Sequence, residues 1–153
     1  MNSTYRNLIP NGYKFDLPTE AQWEYACRAG TTTSLNSGKN ITSNGSCYNL
    51  DEVGWYSNNS DGYTHEVGQK KPNAWGIYDM HGNVWEWCRD WYGDYPSASV
   101  TDPTGPNGGS NRVLRGGSWF SDARDCRSAD RINYYPGSRS NELGFRLALV
   151  PVE

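Results

Sequence analysis

The chain has 153 residues, of which 35% are hydrophobic and 14% aromatic, and it carries a net charge of -3. That length sets a single domain over residues 1–153 as the expectation, with enough chain to bury a core built largely from Trp and Tyr. The charge leaves no basic footprint for nucleic acid, no apolar run is long enough to span a membrane, and Met1 is not followed by the apolar stretch of a secretory leader.

Residues 1–15, with Pro10 and Asn11-Gly12, read as a loop leading into a short strand. A helix follows. Thr19 with Gln22 three residues on fits a capping box, and Glu20 suits the positive helix start. Trp23, Ala26 and Cys27 share one face, and Gly30 supplies a stop. Glu20 and Glu24 read as solvated helix-start acids rather than catalytic ones. Residues 31–46 are Thr, Ser, Asn and Gly with few apolar side chains, a loop ordered by its neighbours. Residues 53–56 are short and apolar, residues 57–63 form a turn, and His65 reads as a surface or hydrogen-bonding histidine.

Residues 72–87 hold three of the seven tryptophans and form the expected structural centre. Trp85 and Trp87 alternate, as on a strand with one face buried. A turn at Gly82-Asn83 separates Asp79 from Glu86. Residues 92–109 form a long loop with Pro103, Gly105, Pro106 and Gly108-Gly109. Residues 112–115 predict a strand, broken by Gly116-Gly117, where backbones can approach closely. Residues 118–141 show no helical or strand period, and residues 143–150 alternate as a closing strand. The segment 112–147 is expected to pack on 72–87. Cys27, Cys47, Cys88 and Cys126 form no CxxC pair and argue against zinc; they read as buried thiols, with a Cys88–Cys126 bridge left open.

Four stretches resemble the formylglycine-generating enzyme (sulfatase-modifying factor) superfamily. They are Leu17-Pro18-Thr19-Glu20-Ala21-Gln22-Trp23-Glu24-Tyr25-Ala26, the run from Gly76 to Trp87, Arg115-Gly116-Gly117-Ser118-Trp119, and Leu143-Gly144-Phe145-Arg146-Leu147. The resemblance implies an α+β, C-type-lectin-like fold with little regular secondary structure, here with the family's N-terminal portion shortened. The family's enzymes hold copper through two cysteines shortly after Gly-Gly-Ser-aromatic, which requires paired soft thiolates. Ser121 stands at the first of these positions. Cys126 lies near, but not on, the second. Leu147 stands where the family places a partner for the helix cysteine, here Cys27. The resemblance therefore implies the fold without the catalytic residues. It also implies a structural calcium at Asp79, Gly82, Val84 and Glu86, two carboxylates and two backbone carbonyls offering hard oxygen donors. The alternative is that Asp79 caps the turn and Glu86 pairs with an arginine such as Arg115.

The same fold serves variable proteins of diversity-generating retroelements, in which a fixed frame of Arg, Gly, Trp and Cys surrounds exchanged positions. On that pattern the candidate ligand-binding residues are Phe120, Ser121, Asp122, Asp125, Asp130, Ile132, Asn133, Tyr134, Tyr135, Ser138, Ser140 and Asn141. Tyr with Ser, Asn and Asp gives rigid contact area and adaptable hydrogen bonds, which suits a protein or other macromolecular partner. The interleaved arginines are expected to hold the loops down. The competing expectation is an oxidoreductase of the superfamily, or an iron-dependent enzyme that would draw on His65 and His81 and on residues outside this chain.

Overall fold

Helix α1, Glu20–Arg28, starts as its sequence predicts. The Thr19 hydroxyl accepts from the Gln22 amide at 3.2 Å, and the Gln22 side chain accepts from the Thr19 amide at 2.9 Å. Its end comes one residue earlier than Gly30 suggests: Ala29 takes the left-handed step with φ 45°, and Gly30 continues it at φ 90°. The computed structural model describes residues 9–152. The chain adopts the expected loop-rich α+β arrangement of short helices and small sheets. Strand β1 is Tyr13–Asp16, a short helix α2 is Tyr48–Asp51, and strands β2 and β3 are Gly54–Trp55 and His81–Gly82. Then come β4, Trp85–Trp91, β5, Arg112–Arg115, β6, Arg131–Tyr134, β7, Leu143–Gly144, and β8, Ala148–Pro151.

Four strands form one sheet in the order β6-β5-β4-β7. β5 runs antiparallel to β4, with Glu86 opposite Arg115 and Trp91 opposite Arg112, and antiparallel to β6, with Arg115 opposite Arg131. β7 runs parallel to β4, with Trp85 opposite Leu143. The segment 112–147 thus packs on the Trp-rich stretch through backbone ladders. Two ribbons complete the fold, β1 with β8 and β2 with β3.

The inward face of β4 differs from the expectation of two buried tryptophans. Trp85 is buried, but Trp87 is half-buried, and the inward residues beyond Trp85 are Glu86, Cys88 and Asp90. The reason is α1, which packs on this side and brings donors that need acceptors. The Trp23 indole N–H donates to Glu86 Oε2 at 2.6 Å, and the Glu20 amide donates to Asp90 Oδ2 at 2.8 Å. Residues 118–141 also hold more structure than their sequence shows. A 3₁₀ turn spans Ala123–Cys126 and β6 follows, held by its ladder to β5 rather than by an apolar face of its own. The closing segment is two strands, β7 and β8, not one.

One apolar cluster, Trp23, Cys27, Met80, Cys88 and Val113, fills the space between α1 and the sheet. A second, with Leu35, Cys47, Leu50, Val53, Tyr56, Ala123 and Cys126, lies under the loops. All four cysteines are free thiols, and Cys88 and Cys126 belong to different clusters, so no bridge joins them. Among the described residues, no helix is long and apolar enough to cross a membrane.

Candidate functional site

Three arginines of the C-terminal third tie it to acids elsewhere. Arg115 is fully buried; its guanidinium donates to the Glu24 carboxylate, to the Asp130 carbonyl, and to the Ser128 carbonyl at 3.0 Å. Arg131 makes a two-point pair with Glu20, at 2.7 Å to each carboxylate oxygen. Arg146 makes another with Glu86, at 2.6 and 2.7 Å. Such bidentate, charge-assisted pairs fix geometry as well as charge. Glu20 is therefore not the solvated acid its helix-start position suggests. It is 6% exposed and holds Arg131 and the Tyr95 hydroxyl, the latter at 2.9 Å.

Asp79, Gly82, Val84 and Glu86 line one cavity of about 380 Å³ together with Arg146. The turn between them is rigid. Asp79, Gly82 and Asn83 all have positive φ, and a Cβ on Gly82 would lie 1.9 Å from the Trp55 carbonyl oxygen. Asp79 Oδ2 accepts from the Gly68 amide at 2.7 Å. Glu86 pairs with Arg146 and not with Arg115, whose guanidinium is engaged by Glu24 and the Ser128 and Asp130 carbonyls. Arg146 also donates to the Asp79 carbonyl at 3.1 Å. Asp79 and Glu86 are the carboxylates lining this cavity, with Gly82 and Val84 beside them, and both Glu86 oxygens already accept from Arg146.

The thiols are placed differently from a two-cysteine metal site. The Ser121 hydroxyl lies 3.1 Å from that of Ser118 and accepts from the Ser118 amide at 3.0 Å, while Ser118 donates to Glu142 at 2.7 Å. Cys126 has no exposure, and burial pushes its thiol well above the ordinary range. Its sulfur sits against Gly117, where a Cβ would come 2.5 Å from it. Cys27 is likewise buried, its thiol pushed up to about 12 by desolvation, and lies 3.9 Å from His81 Nε2 and 3.5 Å from the Ser128 hydroxyl.

His81 is wholly buried, and both ring nitrogens are engaged. Nδ1 meets the Cys126 carbonyl at 2.7 Å, and Nε2 accepts from the Asn36 amide at 3.0 Å. The pattern fixes the neutral tautomer with the proton on Nδ1. Burial pushes its pKa down to about 4. His65 stacks on Trp55 at 3.8 Å, with Nε2 2.9 Å from the Ser60 carbonyl.

The twelve candidate binding residues fall into two groups, and none is buried. Phe120, Asp122, Tyr134, Tyr135, Ser140 and Asn141 are exposed, with Phe120 and Tyr135 at 67% and 68%. Ser121, Asp125, Asp130, Ile132, Asn133 and Ser138 are half-buried. Several serve the loops themselves: Asp130 pairs with Arg127 at 2.7 Å, Asn133 accepts from Asn111 at 2.6 Å, and Asp122 accepts from Asn44 at 2.9 Å. Sequence reasoning missed the partner of Glu86. Arg146 lies in Leu143-Gly144-Phe145-Arg146-Leu147, and the signal was its place next to β7, which pairs with β4.

The family model described as the sulfatase-modifying factor enzyme 1-like domain matches residues 3–150. The formylglycine-generating enzyme of Mus musculus is 39% identical over 142 residues, covering 86% of this chain and 38% of that protein. The formylglycine-generating enzyme of Streptomyces coelicolor is 40% identical over 144 residues, covering 86% of this chain and 46% of that protein. Among solved structures, Treponema denticola variable protein 1 matches with a TM-score of 0.79 and 47% identity, covering 87% of this chain and 46% of that one. The chain spans less than half the length of each of these relatives.

Proposed function

The chain belongs to the sulfatase-modifying factor enzyme 1-like family, and we propose that it is a non-catalytic member, a single C-type-lectin-like domain whose C-terminal loops form a surface for a protein or other macromolecular ligand. One observation carries this reading. At the first copper-ligand position the side chain is a serine hydroxyl held in its own turn, and the nearest cysteine in sequence is sealed in the core. A protonated, buried thiol and a hard hydroxyl do not make a pair of soft thiolates. The 47% identity to a variable protein supports a surface of exchangeable residues, with Phe120, Tyr134 and Tyr135 as its exposed aromatic anchors. The identity to formylglycine-generating enzymes favours the second reading, an oxidoreductase. Titration with Cu(I) against a chromophoric chelator separates the two. We expect no stoichiometric uptake; one tightly held Cu(I) per chain, with oxygen consumption on a Cys-containing sulfatase peptide, would establish the oxidase instead.

The same reading carries a structural calcium held by Asp79, Gly82, Val84 and Glu86, which would cross-link the turn to β4. Calcium titrated into chelator-stripped protein is expected to release or absorb heat. At a hundredfold excess over Kd it should add about 2.7 kcal/mol of stability, or roughly 5–10 °C in Tm. An unchanged melting curve would remove the ion from the account.

A further inference from the structure

Beyond Trp91 the chain leaves the sheet and arches over the first turns of α1. The two feet of the arch are pinched together by glycines. A Cβ on Gly93 would come 3.0 Å from Pro106, and one on Gly105, at φ +73°, would come 2.9 Å from Asp90 Cβ. Residues 94–104 between these feet form a loop whose ends lie close together, and all of them but the half-buried Pro103 are exposed. Beneath it is a cavity of about 900 Å³. Ligand sites fall in the range of about 300–1,000 Å³ and are mostly apolar with a few convergent polar groups.

This cavity has that character. Tyr95, Pro96, Val100 and Pro106 of the arch face Ala21 and Tyr25 of the helix. The charges lining it are Glu20, Glu24, Asp90, Asp94 and Asp102 against the single guanidinium of Arg131. That guanidinium is fully engaged. It pairs with Glu20, donates to the Gly93 carbonyl at 2.8 Å, and sits 4.4 and 4.3 Å from the ring centres of Tyr92 and Tyr95. Glu24 is held by Arg28 and Arg115. What remains is a cavity with Asp94 and Asp102 exposed at its rim and Asp90, 3% exposed, in its floor. Asp90 Oδ2 accepts from the Glu20 amide. Its carboxyl is raised, chiefly by burial. A desolvated carboxylate in an apolar recess gains most from an opposite charge brought against it.

We propose that the cavity under the 94–104 arch binds an ammonium or guanidinium group carried on an apolar stem, the head against Asp90 and the stem along Val100, Pro96 and Tyr95. The source is a lysine or arginine side chain of a peptide, or a free alkyl amine. Ala129 and Arg131 line this cavity, but none of the twelve candidate binding residues and none of the thiols does, so the copper titration does not bear on it.

Isothermal titration at pH 7.5 with agmatine, with the blocked tripeptide Leu-Arg-Leu, and with its citrulline counterpart tests the proposal. The citrulline peptide is expected to bind at least tenfold more weakly than the arginine peptide. Asp90→Asn keeps an acceptor for the Glu20 amide and so preserves the helix start, while removing the charge; it should weaken both cationic probes about tenfold. Asp94→Asn with Asp102→Asn, both on exposed acids, should weaken them less, and more visibly at low salt. A peptide tighter than agmatine identifies a protein ligand, and equal affinities identify a free amine. Absence of binding by both cationic probes, equal affinity for arginine and citrulline, or unchanged affinity in both variants would overturn the assignment.

Discussion

His81 sits where no water reaches, with its ring proton spent on the Cys126 carbonyl and its lone pair spent on Asn36. Charging this ring would cost a hydrogen bond and a desolvated cation. Its folded pKa of about 4 lies below the ordinary value of 6.5. The sign follows from proton binding: between these values the unfolded chain takes a proton that the folded one refuses. Stability is therefore complete above pH 6.5 and falls as pH drops toward 4, by about 3 kcal/mol across the window. The raised carboxyls of Asp90 and Asp130 act with the opposite sign, losing stability as pH rises through their folded values, and soften the acid end. Urea midpoints at half-unit steps from pH 7.5 to 4 check this; a flat profile would show that the ring is solvated. In the sequence His81 was one polar residue in a turn motif. Nothing local to it signalled burial, because the walls around it come from Cys27, Asn36 and Cys126.

The turn after β5 depends on contacts that only the assembled elements supply. Gly117 and Gly62 both have φ +82°. A Cβ on Gly62 meets nothing within 4 Å, whereas one on Gly117 meets Cys126 Sγ at 2.5 Å and its Cα at 3.0 Å. Gly62→Ala should cost about 1–2 kcal/mol for the left-handed backbone alone. Gly117→Ala should cost a further ~1–3 kcal/mol because the 3₁₀ turn must shift. Equal losses in chemical denaturation would mean that the turn gives way freely. At this scale α1 and β5 were legible, since the capping box and the run Arg112-Val113-Leu114-Arg115 state their structure locally. β6 was not: Arg131-Ile132-Asn133-Tyr134 has no apolar alternation and becomes a strand only against β5. Nor was the inward face of β4, where Glu86 and Asp90 turn in to meet donors from a helix far away in sequence.

For the molecule as a whole, four motifs in order identified the family and the loop-rich architecture, because the family's signature residues are the ones that form α1, the β4 turn and the glycine pair. The positions between the motifs said less about their surroundings. Residues 92–109 read as a plain loop rich in Gly, Pro, Ser and Asp, and the cavity beneath them appears only once Gly93 and Gly105 close the feet of the arch. The arginine ties have a consequence for how this molecule can change. Arg115, Arg131 and Arg146 moor the last third of the chain to Glu24, Glu20 and Glu86 at three separated points, all drawing on charges outside the stretches they bracket. A cord knotted in this way can be rewoven between its knots. Phe120 and Tyr134 stand exposed between these knots, so exchanging either is expected to leave the frame in place, whereas a change at one mooring is expected to loosen the loops on either side of it.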